Sequence, residues 1–205
     1  MITIINYNTG NLGSIRNMLK YLGIASQISG DKDVIARAEK LILPGVGHFD
    51  YGMQQLTKSG LIPVLHQKVL EDKIPILGIC LGVQLFTEQS EEGSENGLGW
   101  IKGKTIAFDK SRLSSAQKIP NMGWTDVANY SQSKLFEDMH EDPRFYFVHS
   151  FHLALDNKTD CMVSANYGYD FAAGVEQNNI LGVQFHPEKS HKYGMRIFEN
   201  FAKNY

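Results

Sequence analysis

The sequence predicts an α/β fold in which a mostly parallel central sheet carries helices on both faces and an antiparallel β portion is added late in the chain. Three observations predict it. Up to about residue 98, short apolar runs alternate with stretches whose apolar residues recur at helical spacing, the rhythm of helices covering a parallel sheet. Beyond that point β-like runs follow one another closely, with few helical patterns between them, before a final strand, loop and helix. The 205 residues, 42% hydrophobic and 20% charged, suit one ordinary globular core, and no repeat or linker-like stretch divides them. A single domain over 1–205 is expected.

The elements read as follows. "ITIINY" (2–7) is a short β-rich run, and a helix follows with Leu12, Ile15, Met18, Leu19 and Leu22 on one face, Asn11 as N-cap and Gly23 as stop. "IASQIS" (24–29) is a strand, and "DKDVIARAEK" a short helix opened by Asp31. "LILPGVG" (41–47) is a buried strand entering a glycine-rich loop; helices near 49–58 and 61–72 lead to the strand "IPILGIC" (74–80). "GWIKGKTIAF", "IPNMGWTDV", "RFYFVHSFHLAL", "CMVSANYG" and "FAAGVEQ" are the close-set β-like segments. "ILGVQFHPEKS" (180–190) returns to strand, loop and helix, and the last helix places Met195, Phe198 and Phe201 on an apolar face.

Composition excludes several classes. A formal charge of −2 gives no general attraction to nucleic acid or an anionic membrane. No apolar run is long enough to span a bilayer, and the N-terminus lacks the cationic and long apolar regions of a signal peptide. Two cysteines, Cys80 and Cys161, are too few for a disulfide framework, so reduced thiols and a cytoplasmic location are expected.

Sites in open parallel sheets form at the carboxyl ends of strands, and three such ends carry suggestive residues: "LPGVG", "GICLG" and "QFHPEKS". Gly78-x-Cys80-x-Gly82 matches the elbow that exposes a nucleophile on a strained strand-to-helix turn, where the helix N-terminus favours thiolate. A buried, inert cysteine is the competing reading. In "HPE", Pro187 keeps His186 extended, and residues two apart on an extended run share a side, so His186 and Glu188 can lie together. A thiol nucleophile needs a base, and the base an acid to orient it; Cys80, His186 and Glu188 supply these roles. His186, Glu188 and His191 could also be read as metal ligands, but no second ligand cluster supports them, and no metal or cofactor is expected. The Leu81 N–H and a glycine amide from "PGVG" (44–47), for which Gly47 is the choice, can face an oxyanion.

"LPGVG", "GICLGVQL" and "GVQFHPEKS", in this order and spacing, resemble the class-I glutamine amidotransferases, and within them the glutaminase subunits of imidazole glycerol phosphate synthases. The resemblance covers the whole chain, including "NYNTGNLGSIRNML", "NMGW" (121–124) and "YFVHSFH" (146–152). It implies a flavodoxin-like fold and glutamine hydrolysis through a thioester, with Cys80 as nucleophile, His186 as acid/base and Glu188 as its orienter. It implies contacts to the glutamine substrate by Gln84 and Glu92, and to its α-carboxylate by the backbone of His149, Ser150 and Phe151. It further implies a heterodimer with a (β/α)8-barrel cyclase that takes up the ammonia, met through Asn11, Trp124 and Lys189. The acceptor would be a nucleotide of histidine synthesis. Asn121 and Thr125 depart from the family pattern, and "GVGHFDYGM" (45–53) resembles amidotransferases serving cell-surface sugars, so a nucleotide-linked sugar stands as the alternative acceptor. A non-catalytic α/β protein with a redox-sensing Cys80 is a third reading, opposed by His186, Glu188 and Gln84.

Overall fold

The computed structural model describes residues 1–130 and 133–205. Strands β1 (Ile2–Ile5), β2 (Ser26–Ser29), β3 (Lys40–Gly45) and β4 (Ile76–Cys80) alternate with α1 (Leu12–Tyr21), α2 (Lys32–Ala36), α3 (Phe49–Ser59) and α4 (Ile62–His66). β4 runs straight into the single turn α5 (Leu81–Gln84). Then come β5 (Gln89–Ser90), β6 (Gly103–Ala107), β7 (Asn121–Ala128), β8 (Arg144–His149), β9 (Phe151–Leu155), β10 (Cys161–Asn166) and β11 (Asp170–Gln177). β12 (Ile180–Val183) and α6 (His191–Asn204) close the chain.

These strands form one 12-stranded mixed sheet whose main path is β2-β1-β3-β4-β12-β11-β10-β7-β8. From β2 to β12 the neighbours are parallel; from β12 to β8 they are antiparallel, and β6 joins β11 through β9. The last strand of the chain therefore sits beside β4, with Gly182 opposite Gly78. This pairing brings the segment after β12 next to the residue that ends β4.

Alternation along the parallel strands divides the core between two faces. Ile2, Ile4, Ile42, Leu77, Ile79, Leu181 and Val183 pack with Ile15 and Leu19 of α1 and with Ile197, Phe198 and Phe201 of α6. Ile5, Leu41, Leu43, Ile76 and Ile180 pack on the other side with Ile35, Phe49, Met53, Leu56 and Leu65. Each fully buried aliphatic or aromatic side chain contributes on the order of 1.5–3 kcal/mol relative to exposure. The two-faced packing is the layered architecture that the alternating rhythm predicts.

Several local expectations change. Asn11 precedes α1, but its side chain makes no capping bond. Asp31 does cap α2, its Oδ1 accepting from the Asp33 and Val34 amides at 2.9 and 3.0 Å. The strand expected over 24–29 begins at Ser26, and the helix expected over 61–72 is α4 followed by a wider π turn, Gln67–Glu71. On α6 the apolar face is Ile197, Phe198 and Phe201, with Met195 only half-buried. "RFYFVHSFHLAL" is two strands: β8 pairs with β7, and beyond Ser150 β9 pairs with β6. The chain changes partner at Ser150, where the backbone bends.

Candidate active site

Cys80 ends β4 with φ 54° and ψ −113°, a backbone conformation that costs a non-glycine residue about 1–3 kcal/mol. Its flanking glycines are required by close approach. A Cβ on Gly82 would lie 1.9 Å from the Leu43 carbonyl oxygen, and one on Gly78 would lie 2.6 Å from the Phe86 ring. The elbow is thus pressed between β3 and its own helix. α5 is only four residues long, so its dipole is shorter than expected, but the free N–H groups of its first turn, Leu81's among them, follow Cys80 directly in the chain. Cys161 is half-buried, its thiol donating to the Val163 carbonyl.

His186 and Glu188 meet through a different geometry from the one expected. His186 is extended (φ −104°, ψ 94°), but Pro187–Lys189 form a 3-10 turn, which folds the carboxylate back under the imidazole. His186 Nδ1 bonds Glu188 Oε1 at 2.8 Å, and Asn11 Nδ2 donates to the same oxygen at 3.0 Å. Ser190 fixes the turn: its hydroxyl donates to the His186 carbonyl at 2.6 Å and accepts the Tyr146 amide at 3.0 Å. With Nδ1 occupied, the buried Nε2 has no hydrogen-bond partner among the described residues and is left for the cavity that Cys80 also lines. Burial works to lower the His186 pKa, but hydrogen bonding and charge from Cys80 and Glu188 outweigh it and raise it to about 10. Burial likewise pushes Glu188 up, and His186, followed by Asn11, brings it below the ordinary carboxylate value.

Cys80, His186, Gln84, Glu92 and His149–Phe151 line one cavity of about 310 Å³ together with Val46, Gly47, Pro120 and Val148. Sequence-distant segments predicted to meet substrate therefore converge on the elbow. Glu92 Oε2 accepts the Phe49 amide at the start of α3, 2.8 Å away. Gln84 Nε2 donates to the Phe151 carbonyl at 3.2 Å and to Gln184 Oε1 at 3.0 Å. His149 Nδ1 lies 2.7 Å from the Phe151 carbonyl, which only accepts, so Nδ1 carries the proton and Nε2 accepts from Asn121 Nδ2 at 3.2 Å. Burial lowers the His149 pKa to about 3, so the ring stays neutral and positions the backbone.

Gly47 has φ +97° and open space about its Cα, while Val46 is bound on both sides by Thr9. The Thr9 hydroxyl donates to the Val46 carbonyl at 2.9 Å and accepts the Val46 amide at 3.3 Å. Of the residues expected to face a partner, Trp124 is exposed and stacks on His191, with ring centroids 5.5 Å apart. Lys189 is exposed, its ammonium 5.6 Å from the Tyr146 ring centroid. Asn11 turns its amide inward to Glu188, so it adjoins the His–Glu pair. Among the described residues no group of three or more His, Cys, Asp or Glu side chains is placed to hold a metal ion, and no helix is long and apolar enough to cross a membrane. Sequence reasoning missed Thr9, Gln184 and Ser190; only the place of Gln184 and Ser190 in "QFHPEKS" pointed toward the site.

An open α/β sheet that carries a thiol, an imidazole and a carboxylate at adjoining strand ends has the architecture of a triad enzyme. The chain belongs to the class-I glutamine amidotransferases, whose family model matches residues 3–205. It is 49% identical over 203 residues to "Imidazole glycerol phosphate synthase subunit HisH 2" of Methanococcus maripaludis, covering 99% of each chain. It is 45% identical to the protein of the same name from Pseudomonas aeruginosa, again over 99% of each. Among solved structures it resembles PurLQS from Thermotoga maritima, with a TM-score of 0.73 and 21% identity over 99% of this chain and 97% of that one. At that identity the structural likeness speaks to the fold alone.

Proposed function

We propose that the chain is the glutaminase subunit of an imidazole glycerol phosphate synthase, hydrolysing glutamine and passing the ammonia to a (β/α)8-barrel cyclase subunit. The observation that carries the chemistry is the convergence of Cys80, the His186–Glu188 pair, Gln84, Glu92 and His149–Phe151 on one cavity. The names of the full-length relatives support the pathway.

In this reading the protonated His186 favours thiolate at Cys80, the nucleophilic form. The sulfur attacks the side-chain carbonyl carbon of glutamine, and the oxyanion is received by the Leu81 and Gly47 amides. His186 gives its proton to the departing nitrogen, ammonia leaves and a thioester remains. The neutral imidazole then takes a proton from water, whose attack releases glutamate and restores the starting pair. Glu188 keeps the ring oriented throughout. Glu92 and the Gln84 oxygen receive the substrate α-ammonium, and the backbone of residues 149–151 its α-carboxylate. Ammonia freed into water would be protonated and lost as a nucleophile, so a partner at the surface around Trp124, Lys189 and Asn11 takes it directly.

The test is synthesis of imidazole glycerol phosphate by the chain combined with a histidine-pathway cyclase subunit. Cys80→Ala is expected to abolish the glutamine-dependent reaction and leave the ammonia-dependent one intact. A glutamine-shaped electrophile is expected to label Cys80 and spare Cys161; labelling chiefly at Cys161 would overturn the assignment. A second acceptor stays in view because "GVGHFDYGM" (45–53) resembles amidotransferases serving cell-surface sugars. If the histidine-pathway cyclase gives no product while a cyclase-like sugar amidase does, the acceptor is a nucleotide-linked sugar.

A further inference from the structure

Gln184 follows β12 and is fully buried, with its amide between two parts of the site. Gln84 Nε2 donates to its Oε1 at 3.0 Å, and its own Nε2 donates to the Cys80 sulfur at 3.8 Å. The sense of both amides is forced. The Phe151 carbonyl only accepts, so the Gln84 group 3.2 Å from it is –NH2. That –NH2 also faces Gln184, which must present oxygen there and turn its own –NH2 to the sulfur. One backbone carbonyl therefore orients two side-chain amides in series, ending at Cys80. Both hydrogens of Gln84 Nε2 are now engaged, and its oxygen accepts nothing from the described residues, so oxygen is what Gln84 offers the cavity.

We infer that Gln184 is a positioning residue for glutamine hydrolysis, with one arm on the substrate subsite and the other on the nucleophile. Through Gln84 it keeps an acceptor oxygen toward the α-ammonium; a flipped Gln84 would turn –NH2 toward a cation. Through its own N–H it donates to the sulfur, and a hydrogen bond to a charged form favours that form. The inference rests on the proposed roles of Cys80 as nucleophile and of Gln84 as substrate contact.

Two variants separate the arms. Gln184→Glu keeps an acceptor for Gln84 but has no N–H for the sulfur; Gln184→Met fills similar space and keeps neither bond. Two reagents read them on the full chain combined with a histidine-pathway cyclase subunit, with Cys80 modification followed by mass spectrometry. Iodoacetamide needs only the sulfur, whereas 6-diazo-5-oxo-norleucine must also seat its α-ammonium, so its half-saturating concentration reports the subsite. Iodoacetamide labelling is expected to slow about tenfold or more in both variants, the scale of a hydrogen bond to a charged group. The half-saturating concentration is expected to rise by a similar factor in Gln184→Met and to stay near the wild-type value in Gln184→Glu. A general structural role would move both readouts together in both variants. That parallel loss, or rates within twofold of wild type throughout, overturns the inference. Failure of the underlying glutaminase reading looks different: wild-type Cys80 would react with iodoacetamide but show no saturable labelling by the glutamine-shaped reagent.

Discussion

His186 keeps its proton against burial because two partners favour the charged ring, and this sets its pH behaviour. The folded pKa of about 10 lies above the ordinary 6.5, so the stabilisation is complete below pH 6.5 and is lost as pH rises through about 10. Glu188 has the opposite sign: its lowered pKa stabilises above the ordinary 4.5 and ceases to do so as pH falls below it. Glu188→Gln removes one of the two partners. Its His186 titration, followed by imidazole NMR, is expected to move down toward 6.5. Its melting temperature is expected to fall furthest below wild type between pH 4.5 and 6.5, with the gap closing as pH approaches 10. An unchanged titration would mean that the carboxylate does not act on the ring. In turnover, His186→Ala is expected to lose most of the rate and Glu188→Ala less, with the double variant little worse than His186→Ala, because effects within a catalytic unit are non-additive. Additive losses would contradict a shared role. Cys80, His186 and Glu188 stood out as candidates in the sequence because thiol, imidazole and carboxylate are scarce reactive groups in recognisable local frames. Thr9, Gln184 and the bond from Asn11 to Glu188 did not: amides and hydroxyls are common, and the partners Val46, Cys80 and Glu188 are brought to them only by tertiary folding.

At the scale of elements, the helix closing the chain supports the turn that carries Glu188. Gly194 of α6 packs so closely on this turn that an added Cβ would stand 1.8 Å from the Pro187 carbonyl oxygen. Helix propensity alone favours Gly194→Ala by about 0.5–1 kcal/mol. Overpacking a close contact costs about 1–3 kcal/mol, so the contact wins. The variant is expected to melt below wild type and, because the displaced turn carries Glu188, to turn over more slowly with KM for glutamine little changed. A raised melting temperature would show that the turn yields without cost. Period-two and helical spacing revealed most of the elements and both faces of the sheet, since those patterns record which side of a strand or helix is buried. They could not reveal that the chain, paired with β7 as β8, pairs with β6 as β9 after Ser150, or that Pro187–Lys189 coil into a 3-10 turn. Those outcomes depend on where other strands lie, and the carboxylate needed only to be near the ring by either path.

Across the whole molecule, the insertion of β12 beside β4 assembles the site from both ends of the chain: residues 7–11 and 44–47 meet the elbow from one side, and residues 184–190 from the other. The loop over the elbow is held from its N-terminal side by β1 and the segment after it. Tyr7 Oη donates to the Pro44 carbonyl at 2.6 Å, and Thr9 binds both polar groups of Val46. In this arrangement the Val46 amide faces Thr9, and turning the Val46–Gly47 peptide requires the Thr9–carbonyl bond to break, at about 1 kcal/mol net. Glycine at position 47, φ +97° with open space around it, is where the chain can absorb such a turn. A missing oxyanion donor costs about 10²–10³ in rate, enough to hold hydrolysis off while His186 and Glu188 stay assembled. Val46 is 38% exposed, so a partner covering it could act on the loop. It would turn the peptide only if it bound the competent arrangement more tightly, since differential affinity alone moves a population. The isolated chain is therefore expected to release glutamate slowly, faster with its partner, and fastest with partner plus acceptor analogue. Thr9→Val, which frees Val46, is expected to raise the rate of the isolated chain more than that of the full assembly. Glutamate release in the three conditions decides it: equal rates in all three would mean a permanently formed oxyanion hole, and the bonds from Thr9 to Val46 would then only brace the loop.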